Sequence, residues 1–190
     1  MDLLLGIFSA FGLSASAGLN AYIPLLVVGV IAHYFPKTLT LSQPFDLIAN
    51  PWILILLGIL VIIEMIADKV PAVNHINDVI QTIIRPVAGA IAFAASANVI
   101  TDISPLLALA CGLLMAGSVH AVKAAAVRPA ITAATAGAGT TPASIAEDII
   151  AFTTSILAIM LPIIMGVILV ILLALLIWWW WRRTNTAQAA

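Results

Sequence analysis

Apolar runs long enough to cross a bilayer, separated by short knots of polar residues, fill almost the whole chain. The first run, residues 3–35, is longer than the ~20 residues that one helical crossing needs. Its middle, SASAGLNAYIP, carries Ser14, Ser16, Gly18, Asn20, Tyr22 and Pro24. Such residues at that depth predict one kinked helix or two half-helices meeting at Gly18–Asn20, a device found around transporter binding sites. The plainer alternative is close helix packing through small side chains. Residues 36–51 follow as a loop punctuated by three prolines and Asn50. Residues 52–67 predict a second span, opened by Trp52 and closed by Glu64, Asp68 and Lys69 before Pro71 stops it.

Beyond Pro71 the pattern changes. Val73, Ile76, Ile80 and Ile83 form one stripe, and Asn74, Asp78, Gln81 and Arg85 another. This predicts a short amphipathic helix over 72–84, lying flat at the interface or folding back over the carboxylates. Residues 86–100 read as a short span of small residues, closed by a turn through Asn98, Thr101, Asp102 and Pro105. Residues 105–122 read as the next span, ending at His120 and Lys123. The stretch 124–144 is the least hydrophobic and reads as loop chemistry around Arg128-Pro129 and GAGTTP. A helix is expected from near Ile145, with Glu147 and Asp148 in its first turn, where acids complement the helix dipole. Residues 149–181 are nearly uncharged and too long for one crossing. Two short spans meeting near Pro162 are expected, with one long tilted helix as the alternative. Trp178–Trp181 before Arg182 and Arg183 form an aromatic belt and a cationic anchor. Segments 51–69 and 105–123 align without gaps at Pro, Gly, Leu, Ala and the closing Lys, a faint parallel repeat.

Composition narrows the class. The chain of 190 residues is 64% hydrophobic and 8% charged, with a mean hydropathy of +1.22. Soluble domains carry about 25% charged residues, so a soluble fold is excluded. Continuous apolar runs exclude the alternation of a membrane β-barrel. The expectation is an all-α, polytopic helical membrane protein with about six spans, five being the alternative. It forms a single domain over 1–183, with a broken or kinked first helix, a short amphipathic helix after the second span and a disordered tail over 184–190. Ala15-Ser16-Ala17 resembles a signal cleavage site, but no basic segment precedes it and apolar sequence resumes at once, so a retained span is expected. Lys69 and Arg85, Lys123 and Arg128, and Arg182 and Arg183 fall on one side in a six-span arrangement. This predicts cytoplasmic termini, with Lys37 as the exception. A net charge of −1 offers no basic field for nucleic acid, and the lone Cys111 excludes an intrachain disulfide and a cysteine metal cluster.

The chemistry concentrates in residues 64–85, which hold Glu64, Asp68, Lys69, Asp78 and Arg85 with His75 among them. Glu64 and Asp68, four apart, share one helix face, and a carboxylate inside a membrane helix usually faces a cavity or a partner. The expected site joins Ser16, Asn20 and Tyr22 at the break to Glu64, Asp68, Lys69, His75, Asp78, Arg85, His120, Lys123, Arg128, Glu147 and Asp148 around a wet hollow. The bland reading makes these groups ion pairs and snorkelling anchors at span ends. Glu64 lies a turn deeper and suits proton coupling, while Arg85, His120, Lys123 and Arg128 suit an anionic group. No cofactor is expected; a divalent metal on Glu64, Asp68, His75 and His120 is a minor alternative without a supporting motif. Ser118 and His120, two apart, do not face each other as a nucleophile and base.

The leading reading is a small secondary transporter, flippase or channel-like protein for an anionic or small polar substrate. It would work in the lipid bilayer as a homodimer, with anionic lipid as a candidate ligand and no nucleic-acid partner. The alternatives are a membrane-embedded enzyme acting on a lipid phosphate through His75 or His120, and a non-catalytic scaffold or partner subunit. The stretches SASAGLNAYIPLL, EMIADKVPAVNHINDVIQTIIRPVAGA, HAVKAAAVRP and TPASIAEDIIAF together resemble an uncharacterised family of bacterial integral membrane proteins, known as a domain of unknown function. The resemblance covers about residues 5–165. It departs at Asn74, where the family often has Asp. It implies an inner-membrane location and a shared polar core, and brings no substrate or reaction.

Overall fold

A computed structural model describes residues 3–41, 43–69, 71–96 and 104–187, without the side chains of residues 3, 71–76 and 183–187. The described residues are helical and contain no strand. They form α1 (Leu3–Leu19), α2 (Tyr22–Tyr34), a 3-10 turn (Phe45–Ala49), α3 (Pro51–Ala67), α4 (Pro71–Ser96), α5 (Pro105–Val122), a π turn (Lys123–Val127), α6 (Arg128–Thr135), α7 (Thr140–Met160) and α8 (Pro162–Ala187). Four helical stretches are long and apolar enough to cross a membrane: Asn77–Ser96, Pro105–Thr135, Thr140–Met160 and Pro162–Arg182. Counting α1–α2 as one broken crossing and α3 as another gives six among the described residues, and the chain is a multi-pass helical membrane protein.

The first run does break, at Asn20-Ala21, into two half-helices. Pro24 explains where. In a continuous helix its ring would clash with the carbonyl of residue 20, and it has no N–H to donate there. In the first turn of a new helix the same proline is tolerated. The second junction falls at Leu161, so the run 149–181 is divided between α7 and α8 near Pro162, as expected. Neither helix is short, because α7 starts at Thr140 and α8 continues through Ala187, making residues 184–187 helical rather than a tail.

Three expectations are corrected. The amphipathic helix over 72–84 and the span over 86–100 are one helix, α4, which runs straight past Pro86. The loss of one intrahelical bond there is tolerated in a helix packed along its length on α1 and α5. The stretch 124–144 is not a loop: the helix of α5 widens through the π turn, where the Arg128 N–H reaches back to the Lys123 carbonyl, and continues to Thr135. Its alanines are strong helix formers. It ends only where Ala136 and Gly137 take left-handed φ of 50° and 89°. Because α7 begins at Thr140, Glu147 and Asp148 sit about two turns inside it. The helix-dipole account of these two acids therefore fails. The turn expected through Asn98, Thr101 and Asp102 lies outside the described residues.

The bundle encloses a polar cluster within a core of small and aliphatic residues, and its outer surface is apolar. On α4, Asn77, Gln81, Arg85 and Ala88 recur every three or four residues and are buried, while Val79, Ile80, Ile83 and Val87 are exposed. Hydrocarbon is the solvent outside, so the apolar stripe faces lipid and the polar face turns inward. The arrangement demands close helix approach along the α1–α4–α5 seam. A Cβ on Gly89 would collide with the Ala116 Cβ, and one on Gly112 would lie 2.5 Å from the Gly89 carbonyl oxygen. Ser14 of α1 donates to the Gly112 carbonyl at 2.7 Å in the same seam. α8 packs mainly on α1 and α7, with Gly166 against Phe8, and its outer surface is apolar all round.

Gly89→Ala is expected to destabilise the bundle by about 1–3 kcal/mol, the usual cost of overpacking. Gly58→Ala, where nothing lies within 4 Å of an added Cβ, serves as the neutral control. Thermal unfolding of both variants in detergent checks the pair.

Candidate functional site

The break between α1 and α2 exposes backbone groups that lipid cannot satisfy. Their partners account for the site. Asn20 turns its side chain onto the start of α2, so that Oδ1 accepts from Tyr22 N at 3.2 Å and Ile23 N at 3.1 Å. Ala21 N donates to the Glu64 carboxylate at 3.1 and 3.3 Å. Pro24 has nothing to donate, so the first turn of α2 is complete. On the other side of the break, Lys123 Nζ donates to the Leu19 carbonyl at 3.0 Å. Glu64 from α3 and Lys123 from the π turn thus hold the two faces of one interruption.

From these two side chains an ion network spreads through the bundle. Glu64 and Arg85 are 1% and 0% exposed. Arg85 Nε and Nη2 both donate to Glu64 Oε1, at 3.1 and 2.9 Å, and Nη2 also reaches Asp68 Oδ2 at 3.3 Å. Asp68 is the hub. Its Oδ2 lies 3.6 Å from Lys123 Nζ and 3.0 Å from Arg128 Nη2, and its Oδ1 accepts from Asn77 at 2.7 Å. Glu147 pairs with Lys123 at 2.7 Å and with Arg128 at 3.5 Å. Asp78 takes Arg128 Nη1 at 3.0 Å. Asp148 accepts from Asn20 Nδ2 at 3.0 Å and from Lys69 Nζ at 3.3 Å.

His120 joins through a chain of hydrogen bonds that assigns its tautomer. Arg85 Nη1 can only donate, so Nδ1, at 3.2 Å, accepts. Nε2 carries the proton toward Thr82 Oγ1 at 3.2 Å, and Thr82 in turn donates to the Asp78 carbonyl. With neutral His120, the described network holds four carboxylates (Glu64, Asp68, Asp78, Glu147) against three cations (Arg85, Lys123, Arg128), while Asp148 and Lys69 pair with each other beside it. It is one positive charge short.

Asp68 sits just past the end of α3, beyond the membrane-spanning segment. Burial pushes its carboxyl upward, but Lys123, Arg85 and Arg128, with Asn77 donating to it, outweigh burial and hold it below the ordinary carboxylate range.

The structure brings together most of the expected residues and rearranges the rest. Glu64, Asp68, Asp78, Arg85, His120, Lys123, Arg128 and Glu147 form one network, and Asn20, Lys69 and Asp148 form a second, smaller cluster that meets it at the Asn20-Ala21 backbone. Ser16 stands apart: its hydroxyl meets the Ala151 carbonyl at 2.7 Å and Ser155 at 2.8 Å, and it joins α1 to α7. Tyr22 contributes its backbone N–H to Asn20 and no hydroxyl hydrogen bond among the described residues. The His75 side chain lies outside the described residues. Among the described residues no three His, Cys, Asp or Glu side chains gather as ligands; His75, one of the four in the metal alternative, lies outside them. Ser118 turns to the Met115 carbonyl, away from His120. Glu64 looks inward at the break, where its carboxylate meets Arg85 and the Ala21 N–H. Snorkelling is wrong for Arg85, which is enclosed.

Sequence reasoning missed Asn77 and Thr82. Asn77, Gln81 and Arg85 are spaced by four, which is the signal of a shared face. It was obscured by assigning the polar stripe to Asn74 and Asp78. Two buried polar atoms, Gln81 Oε1 and Ser144 Oγ, have no hydrogen-bond partner among the described residues.

The chain belongs to the family described as a domain of unknown function, DUF4126, whose model matches residues 7–182. No curated protein and no solved structure matches it.

Arg85→Gln is expected to cost about 3–5 kcal/mol, because it strands the buried Glu64 carboxylate, whose only cation is Arg85 among the described contacts. Adding Glu64→Gln should recover part of that loss, a non-additivity that a double-mutant cycle of unfolding free energies reads directly. Acid should also destabilise the protein through Asp68. A carboxyl depressed in the folded state stabilises above its unfolded value, near pH 4, and that contribution is lost as pH falls through the folded value. Melting temperatures on either side of pH 4 should show a smaller acid loss for Asp68→Asn than for the unaltered protein.

Proposed function

We propose that this DUF4126 member is a small proton-coupled secondary transporter for an anionic or small polar substrate, with the network at the α1–α2 break as its gate. The observation that carries the reading is the shortfall of one positive charge in a buried network whose deepest acid, Glu64, also caps a half-helix. A proton on Glu64 would cancel that shortfall. It would also remove the attraction that holds Arg85 and would weaken the grip of the carboxylate on Ala21 N–H. One protonation event is thereby linked to the seam between α2, α3 and α4. Broken helices with charged groups at the break suit alternating access, in which such contacts are exchanged for contacts to substrate. Released from Glu64, Arg85 could meet an anion together with Lys123 and Arg128. The unpartnered Gln81 Oε1 and Ser144 Oγ offer hydrogen-bonding capacity for a polar substrate or for water.

The scaffold reading draws support from the same network, because every charge in it has a partner. The enzyme reading loses support, since both nitrogens of His120 are engaged and Ser118 faces away.

Flux separates them. Proteoliposomes holding an internal pH dye should dissipate an imposed pH gradient faster than protein-free vesicles, with inorganic phosphate as the test anion. Glu64→Gln should fall to the protein-free rate while eluting and melting as a folded protein. Equal rates for the unaltered protein and Glu64→Gln would sink the coupling role, and no flux above empty vesicles would favour the scaffold.

A further inference from the structure

An open groove of about 510 Å³ runs between α2, α3 and α7 on the side of the network away from α4. Val27 and Leu26 of α2, Val61 and Met65 of α3, and Phe152 and Ile156 of α7 form its walls. Asp148 is the one ionisable residue that lines it. The groove has a direction. Ile23, Met65 and Asp148 sit at the network end, and Ile31 and Ile156 at the far end. Eight residues separate Ile23 from Ile31 and Asp148 from Ile156, so the walls extend about 12 Å along the helices. The groove is therefore a narrow apolar slot that abuts the Lys69–Asp148 ion pair at one end, and its volume lies within the usual range for a bound small molecule.

The charged end has an accessible cation. Lys69 Nζ donates to the carbonyl of Met65 at 3.0 Å and to Asp148 Oδ2 at 3.3 Å, and both residues line the groove. Its side chain is 26% exposed. Arg85, by contrast, is enclosed and engages two carboxylates, and Lys123 is buried between Asp68 and Glu147. An ammonium has three donors, and the described contacts of Lys69 use two. Lys69 is thus the partly exposed cation that stands beside the groove, bonded to two of its lining residues.

We propose that this groove is a binding site for an anionic phospholipid, one acyl chain lying between α2 and α7 and the headgroup phosphate meeting Lys69. Head and tail then point as they do in the adjoining leaflet, with the charge at the polar end and the chain toward the apolar end. A basic residue at the edge of an apolar intramembrane slot is the general pattern of headgroup recognition. The site goes beyond transport, for it needs neither protonation of Glu64 nor any opening of the network.

The test uses the full-length protein purified in mild detergent with an equimolar mixture of phosphatidylglycerol and phosphatidylcholine of matched chains. Native mass spectrometry reads the lipid retained. The unaltered protein should hold the anionic lipid about fivefold over the zwitterionic one, the preference one exposed lysine supplies at a membrane surface. Lys69→Gln should bring that ratio near one, and Lys69→Arg should restore it. Ile149→Trp, which fills the groove from its exposed wall, should lower retention of both lipids, whereas Val170→Trp on the outer face of α8 should not. A ratio near one in the unaltered protein, an unchanged ratio in Lys69→Gln, or full retention in Ile149→Trp would each overturn the proposal. Should Lys69→Gln fail to fold, Ile149→Trp alone decides. No arm reads flux, so failure here leaves the transport reading standing, and failure of proton flux leaves this site standing.

Discussion

A helix interrupted inside hydrocarbon must find partners for its loose backbone ends within the protein, and that requirement organises this molecule. Pro24 forces the interruption at Asn20, and water is not there to repair it. Glu64 answers the free N–H of Ala21, and Lys123 answers the carbonyl of Leu19. Each of these is a charge, and each must itself be neutralised at low dielectric. Arg85 follows from Glu64, Asp68 and Glu147 follow from Lys123, and Arg128 ties the last two to Asp78. The network grows outward from the break as a series of debts between neighbours.

The rest of the packing makes room for that interior. Small residues at Gly89, Gly112 and Ala116 let α4 and α5 approach, with Ser14 of α1 bonded across the same seam. Bulky apolar side chains are pushed to the outside of α3, α4, α5 and α8, where lipid tails accept them. With lipid accepting the bulky apolar side chains, part of the interior is left to polar groups, and a fully enclosed arginine sits there among its carboxylates.

A network of this kind is poised rather than simply stabilising. Buried pairs gain little net free energy over apolar packing, yet losing one partner is costly. A change at any single member therefore propagates to helices far apart in sequence. Asp148 holds Asn20 at the break and also lines the apolar groove between α2 and α7, so the break and the groove share a residue.

Much of this was legible in the chain. Continuous apolar runs required membrane-crossing helices, because nothing else satisfies backbone groups in lipid. Glycine, asparagine and proline between 18 and 24 marked the break, Pro162 marked the junction of the last two helices, and Glu64 with Asp68 announced an inward-facing acidic edge. These are local features, written in residue type and spacing. The tertiary structure alone decided the rest. Pro86 and Arg128-Pro129 read as breaks, yet neighbouring helices and a π turn carry the chain through them. The amphipathic stripe of α4 told of two faces without telling which one lipid would take. Above all, the contact between Lys123 and the carbonyl of Leu19 joins residues 104 apart. No spacing rule reaches that far, because it is set by how whole helices pack against one another.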